Sequence, residues 1–278
     1  MALDIEKIKN RLSSLSNTNN PKSAMVWKPT PGSKQIRIVP NAKSPGNPFV
    51  ELKFHYNLNG KTYLSPDTFN RPDPIVEFSN KLKTAGNKED WKEGKKLEPK
   101  MRTYVPIIVR GEEEKGVRFW GFGKRVYESI LSIIADPDYG DITDLANGRD
   151  IVVEFKSAEE AKKDFPETTI RCKPNQTPAV DPSRKDLIEK IKNQPDILEC
   201  WPELSYDELK SVMIAYLHPE VEDTDNIPAA EVGKAYNAPA EAAQEEVKQE
   251  AAPATPVVKA APAAKEDLNK AFDDLFGK

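Results

Sequence analysis

The stretch KMRTYVPIIVRGEEEKGVRFWGFGKRVYESILSII, Lys100 to Ile134, decides the reading of this chain. It has the pattern of two strands, a polar link and a helix. Alternation in the first strand puts Thr103, Val105, Ile107 and Val109 on one face, the better candidate for a core. Arg102, Tyr104, Pro106, Ile108 and Arg110 fall on the other. The link GEEEKG, Gly111 to Gly116, returns the chain. In the second strand Arg118, Trp120, Phe122 and Lys124 share a face, opposed to Val117 and Phe119. Each strand thus interleaves cations with aromatic rings on one side. Cations meet phosphates, and flat rings stack on unpaired bases at roughly 1–3 kcal/mol per base. A hairpin whose Trp120 and Phe122 are core and whose cations are merely solvated has the same pattern, and the hairpin alone does not separate the two.

Upstream, the chain reads as further β structure. VWKPTPG (Val26 to Gly32) and KQIRIVPN (Lys34 to Asn41) suggest a strand pair. FVELKFHYNLNGKTYL, Phe49 to Leu64, is a strong hairpin signal around the turn Asn59-Gly60. Lys53, His55 and Asn57 share one face there, and Lys61 and Tyr63 share another. Prolines 66, 72 and 74 exclude a central strand from the next segment, and Pro74 starts a helix running through Lys83. Residues 84–100, rich in Lys and containing Gly, read as a mobile loop. Downstream lie the strands IVVEFK (Ile151 to Lys156) and TTIRCK (Thr168 to Lys173). Two short helices follow between Arg184 and Leu217, with Leu187, Ile188 and Ile191 on one stripe and Leu209, Val212, Met213 and Tyr216 on another. The fold class expected is mainly β with added helices, built on a small, partly open barrel such as the OB-fold.

Charge divides the chain in three. Residues 1–20 carry three basic and two acidic groups, residues 21–174 carry 27 and 22, and residues 175–278 carry 11 and 21. The overall net charge of -4 therefore conceals a basic body and an acidic tail. With 31% charged residues and a mean hydropathy of -0.65, part of the chain is expected to be disordered. We read residues 1–20 as an arm, 21–219 as the folded core, and 220–278 as an Ala/Pro/Glu-rich linker ending in a distinct segment. In the arm, Ile5, Ile8, Leu12 and Leu15 recur at helical spacing before SNTNNP breaks the pattern. Such a helix docks on its own domain or on a neighbouring copy. At the other end Leu268, Phe272, Leu275 and Phe276 share a helical face flanked by Glu266, Asp267, Asp273 and Asp274, the pattern of a partner-docking peptide.

Catalysis finds no support. Two histidines, His55 and His218, and two isolated cysteines, Cys172 and Cys200, form no catalytic or metal-ligand motif. Asp136, Asp138, Asp141 and Asp144 cluster, but in a turn sequence that reads as a solvated loop. The two lone cysteines suit a reducing compartment. No apolar run is long enough to span a membrane, and the start of the sequence has no secretion signal.

VWKPTPGSKQIRIVPN, FHYNLNGKTYL, RTYVPIIV, FWGFGKRVYESI and IVVEFK occur in this order, and in this the chain resembles the single-stranded-DNA-binding (helix-destabilising) proteins of T4-like bacteriophages. The resemblance implies an OB-fold core with a basic, aromatic-lined cleft, an arm for cooperative self-association, and an acidic tail that recruits replication, recombination and repair proteins in the host cytoplasm. By position it places Arg37, Tyr63, Phe69, Tyr104, Trp120, Lys124 and Arg125 in the cleft, and Lys100, Arg102 and Thr103 at its basic entry; Phe165 is a looser assignment. The cation and ring pattern adds Lys61, Arg118 and Phe122 as DNA-binding candidates. The arm's self-association residues would be Lys7, Lys9, Arg11, Ser13 and Ser14, more widely spread than the family's compact basic run. The family's zinc site, a histidine and three cysteines, departs here: His55 remains, but Arg71 and Pro74 stand where paired cysteines belong. We therefore expect no zinc and no other cofactor, with Phe69, Ile75, Phe78 and Leu82 holding the subdomain by packing. The expected activity is stoichiometric coating of single-stranded DNA without sequence preference, with the acidic tail competing for the cleft. An RNA-binding OB-fold protein and a protein-interaction scaffold are the alternatives.

Overall fold

In the computed structural model, residues 24–44, 46–85 and 87–217 are described, together with Leu268, Ala271, Phe272, Leu275 and Phe276. The arm residues Lys7, Lys9, Arg11, Ser13 and Ser14, and the tail residues Asp273 and Asp274, lie outside the described residues. The described chain is mainly β with added helices. Its strands are β1 (Val26–Trp27), β2 (Gly32–Ile38), β3 (Val50–Leu58), β4 (Lys61–Leu64), β5 (Lys100–Val109), β6 (Arg118–Phe122), β7 (Arg149–Lys156) and β8 (Glu167–Gln176). Its helices are α1 (Pro74–Thr84), α2 (Lys88–Leu97), α3 (Lys124–Ala135), α4 (Ala158–Ala161), α5 (Lys185–Lys192) and α6 (Tyr206–Leu217).

The long strand β5 is the hub. Along one edge it pairs with β6, setting Val105 opposite Trp120. Along the other it pairs first with β3 over Lys100 to Tyr104, then with β2 over Ile107 to Val109. The change of partner falls around Pro106, a residue that has no N–H to give to a ladder. Strand β2 continues outward to β7, and β7 to β8. Thus the hairpin read from the sequence sits at the middle of the sheet.

Local chemistry explains most element boundaries. Asn59 (φ 52°) and Gly60 (φ 71°) take the left-handed turn conformation that closes β3 onto β4. Asp73 caps α1 by accepting the Ile75 N–H at 2.9 Å, just before Pro74 opens the helix. The apolar stripe of α1 then buries Ile75, Phe78 and Leu82 completely.

Two sequence expectations are corrected. The VW segment pairs in parallel with β6 and not with β2, whose partners are β5 and β7. Residues 84–100 hold a helix, α2, rather than a loop. Asn87 caps it by accepting the Asp90 N–H at 2.7 Å, Glu89 and Asp90 complement the first turn, and Leu97 anchors the end in the core. Gly94 lets α2 approach α1 closely, since a Cβ there would lie 2.7 Å from the Ser79 carbonyl oxygen. No described helix is long and apolar enough to cross a membrane.

Candidate nucleic-acid interface

The two faces of the β5–β6 hairpin have different fates. Val105, Ile107, Trp120 and Phe122 point inward and join Ile36, Ile38 and Ile151 in the main core. The opposite face carries Arg102, Tyr104 and Gly121 and lines an open groove with Val26, Trp27, Lys28, Pro29, Phe54, Tyr56, Thr62 and Trp201. Lys28 is exposed, while Tyr56 and Arg102 are half-buried. Beneath them Phe54, Tyr104 and Trp201 pack with ring centroids 5.0 to 6.2 Å apart, tilted or edge to face. The groove is therefore an aromatic floor with cations beside it.

Two backbone features hold it. Tyr104 lies opposite Gly121 in the ladder, and a Cβ on Gly121 would come within 2.5 Å of Tyr104 Cε1. Only glycine leaves that space for the ring. Arg102 donates to the Gly121 carbonyl at 3.0 Å, which fixes the guanidinium along the groove edge.

Of the residues expected to bind DNA, Arg102 and Tyr104 meet in this groove. Phe69 packs against the same aromatic cluster, under Arg71 at 5.1 Å. Lys61, Lys100, Lys124 and Arg125 are exposed but are not among the groove's lining residues. The expected exposed face of Trp120 and Phe122 is corrected: they are 1% and 3% exposed and belong to the core. The hairpin register decides this, because it puts both on the Val105 side of the sheet. Tyr63 is likewise buried, in a separate cluster with Phe78 and Leu209. Arg118 is mostly covered and paired with Glu112 at 2.8 Å.

Arg37 is a structural ion. It is 0% exposed, pairs with Asp150 at 2.8 Å and donates to Thr177 Oγ1 at 2.6 Å. Burial pushes the Asp150 carboxyl up. Hydrogen bonds from Arg110 and Gln35 and the charges of Arg110 and Arg37 outweigh it and hold the group below its ordinary value. Such a pair locks β2 to β7 instead of reaching for a ligand.

Sequence reasoning missed Lys28, Tyr56 and Trp201 as site residues. Lys28 and Tyr56 sit inside motifs that carried the family resemblance, so a signal existed. Trp201 follows a 3-10 turn (Ile197–Cys200) far from the hairpin in sequence, and nothing local marked it.

His55, the residue matching the family's zinc histidine, is held by protein partners. His55 Nδ1 donates to the Leu97 carbonyl at 3.0 Å, an oxygen that can only accept. Its Nε2 meets Asp73 Oδ2 at 2.9 Å, which also accepts from Ser65 Oγ at 2.5 Å. Burial pushes Asp73 up, but the His55 and Ser65 hydrogen bonds prevail and keep it ionised below its ordinary value. Both ring nitrogens are engaged by protein partners, Nδ1 by the Leu97 carbonyl and Nε2 by the Asp73 carboxylate. Among the described residues no group of three or more His, Cys, Asp or Glu is arranged to hold one.

No curated protein matches the chain. A family model described as gp32 DNA binding protein like matches it. It spans residues 30–211, most of the folded body and with it Tyr56, Arg102, Tyr104 and Trp201, so the chain belongs to that family of DNA-binding proteins.

Proposed function

We propose that this protein binds single-stranded DNA without sequence preference in the groove between β3, β5, β6 and Trp201, and that it acts by coating rather than by catalysis. The observation that carries the reading is the groove itself: Lys28 and Arg102 beside Tyr56, Tyr104 and Trp201, on a body that belongs to a DNA-binding family. Phosphates are neutralised by the cations while unpaired bases stack on the rings. A duplex cannot offer bare base faces, so binding favours the open strand and draws the duplex equilibrium toward it by mass action. We read the sheet, in which β5 changes partner from β3 to β2 along one edge, as an OB-fold barrel.

In the same proposal the arm residues Lys7, Lys9, Arg11, Ser13 and Ser14 join neighbouring copies on the strand. The acidic tail recruits replication, recombination and repair proteins in the host cytoplasm, and the His55 subdomain folds without metal.

The test is a titration of tryptophan fluorescence with poly(dT) across a salt series. Quenching is expected, with a log–log slope of about -0.7 for each phosphate contact, and it should be reduced in a Trp201→Phe variant that still binds, leaving the share of Trp27 in the same groove. No binding at low salt would overturn the reading, and tighter binding to matched RNA would reassign the substrate.

A further inference from the structure

One apolar surface of the body has an occupant that the DNA-binding reading does not use. Helices α1 and α6 lie against each other, and their facing side chains, Phe78, Leu82, Leu209 and Met213 among them, form a cluster separate from the sheet core. Phe272 is a member of that cluster. It is only 4% exposed, and its ring meets Phe78 edge-on with centroids 5.4 Å apart. Leu268, Ala271 and Phe276 pack around it. Two cations hold the backbone of the segment. Lys81 Nζ donates to the Ala271 carbonyl at 2.7 Å, while Lys210 Nζ donates to the Phe276 carbonyl at 3.2 Å and lies 5.1 Å over the Phe276 ring. Phe276 is the last described helical residue, and a cation at its carbonyl is the interaction a helix C-terminal end favours, where carbonyls lack partners and the dipole is negative.

We propose that the α1–α6 face is a docking site for an acidic amphipathic helix and that the chain's own C-terminal segment, Leu268 to Phe276, is its resident occupant. The fit is chemical on two counts. Apolar residues at 268, 272 and 276 recur one helical turn apart and fill one face. The acidic sequence around them, Glu266, Asp267, Asp273 and Asp274, complements a rim that carries Lys81 and Lys210. The site is distinct from the groove, with which it shares no lining residue. Here the proposal rests on the partner-recruiting role of the tail: Leu268, Phe272 and Phe276 are the side chains a partner would need, so docking in the same molecule and capture by a partner exclude each other. The seat keeps the tail's apolar face covered until a competitor takes it.

The test uses the full chain and a fluorescein-labelled peptide of residues 264–278, read by anisotropy. Wild-type protein, its seat filled, should take the peptide poorly. A Phe272→Ala/Phe276→Ala variant, which leaves the seat intact but empties it, should bind the peptide at least tenfold more tightly. A Phe272→Ala peptide, which keeps every charge, should fail to bind that variant. Equal uptake by both proteins, or equal binding of both peptides, overturns the proposal. Concentration-dependent self-association of the wild type that the double variant abolishes would place the tail in a neighbouring molecule and overturn the assignment to its own. A poly(dT) titration of the same variant reads the DNA proposal separately, since its success or failure leaves the peptide result unchanged.

Discussion

The β5–β6 hairpin has two faces of similar composition and opposite roles. Toward the core it sends Trp120 and Phe122, sealed against Val105 and Ile107. Away from it the hairpin sends Tyr104 and Arg102 across Gly121, into a groove completed by Lys28, Tyr56 and Trp201. Rings and cations alternate on both strands, so the residue types do not distinguish a binding surface from a core. What covers each face does. The inner face is closed over by β2, β7 and α3. The outer one is covered by a second buried cluster of Phe54, Tyr104, Phe119 and Trp201, and opens only at a groove rimmed by Lys28, Tyr56 and Arg102.

The sharpest way to break this comparison is to truncate each face. Trp120→Ala should cost about 3–5 kcal/mol of stability, seen as a large loss in thermal or urea midpoint, while the folded fraction keeps its DNA affinity. A Trp120 variant that folds normally but loses DNA binding would reverse the assignment of the two faces. The two arginines expected to contact phosphate supply the next contrast. Arg37→Ala removes one of two arginines from the buried Asp150 carboxylate, leaves Arg110 paired with it, and should cost about 1.5–3 kcal/mol without changing the salt slope. Arg102→Ala should leave stability nearly intact and reduce that slope by about 0.7.

A smaller effect is expected at Gly121, where the outer face depends on missing atoms. Gly121→Ala should displace the Tyr104 ring and weaken poly(dT) binding about tenfold, within the roughly 1–3 kcal/mol that a stacked base contributes. Unchanged affinity would mean that Tyr104 is floor rather than platform.

The mildest expected change is with pH. Asp73 and Asp150 are both held below the ordinary carboxylate value of 3.8 in the folded protein. Their contribution is therefore fully present above that value and is lost as pH falls through the lower, folded-state values. Melting temperatures measured as the solution is acidified should drop there, with little dependence on these two groups near neutrality. Asp73→Asn should flatten its share of the slope, and an unchanged acid profile would remove His55–Asp73 from the account.

The subdomain around His55 makes the same point as the hairpin. Its residue types offered one metal-binding side chain without companions, which argued against zinc. The sequence did not show how the histidine is satisfied instead, between a carbonyl at the end of α2 and the capping carboxylate of α1. The Leu97 partner lies in the stretch read as a mobile loop, because lysines and a glycine outweighed the Asn87 cap and its acidic first turn in that reading.

Periodicity and turn chemistry, which act over a few residues, were enough to identify the β3–β4 hairpin, the Pro74 helix start, the β5–β6 hairpin and the helix that follows it. The order of local motifs was enough to recognise the DNA-binding family. By itself the sequence also divided the chain into a basic body and acidic end, since charge is counted without coordinates. Tertiary structure decided which alternating face is inside, because that depends on register between β5 and β6 rather than on either strand alone. It turned Arg37 into a buried anchor, since only the fold sets Asp150 beside it. It brought Lys28, Tyr56 and Trp201 to Tyr104 from three distant segments, and it seated Phe272 on α1 and α6. Each of these is a long-range contact, and a contact between segments far apart in the chain leaves no local pattern in either one.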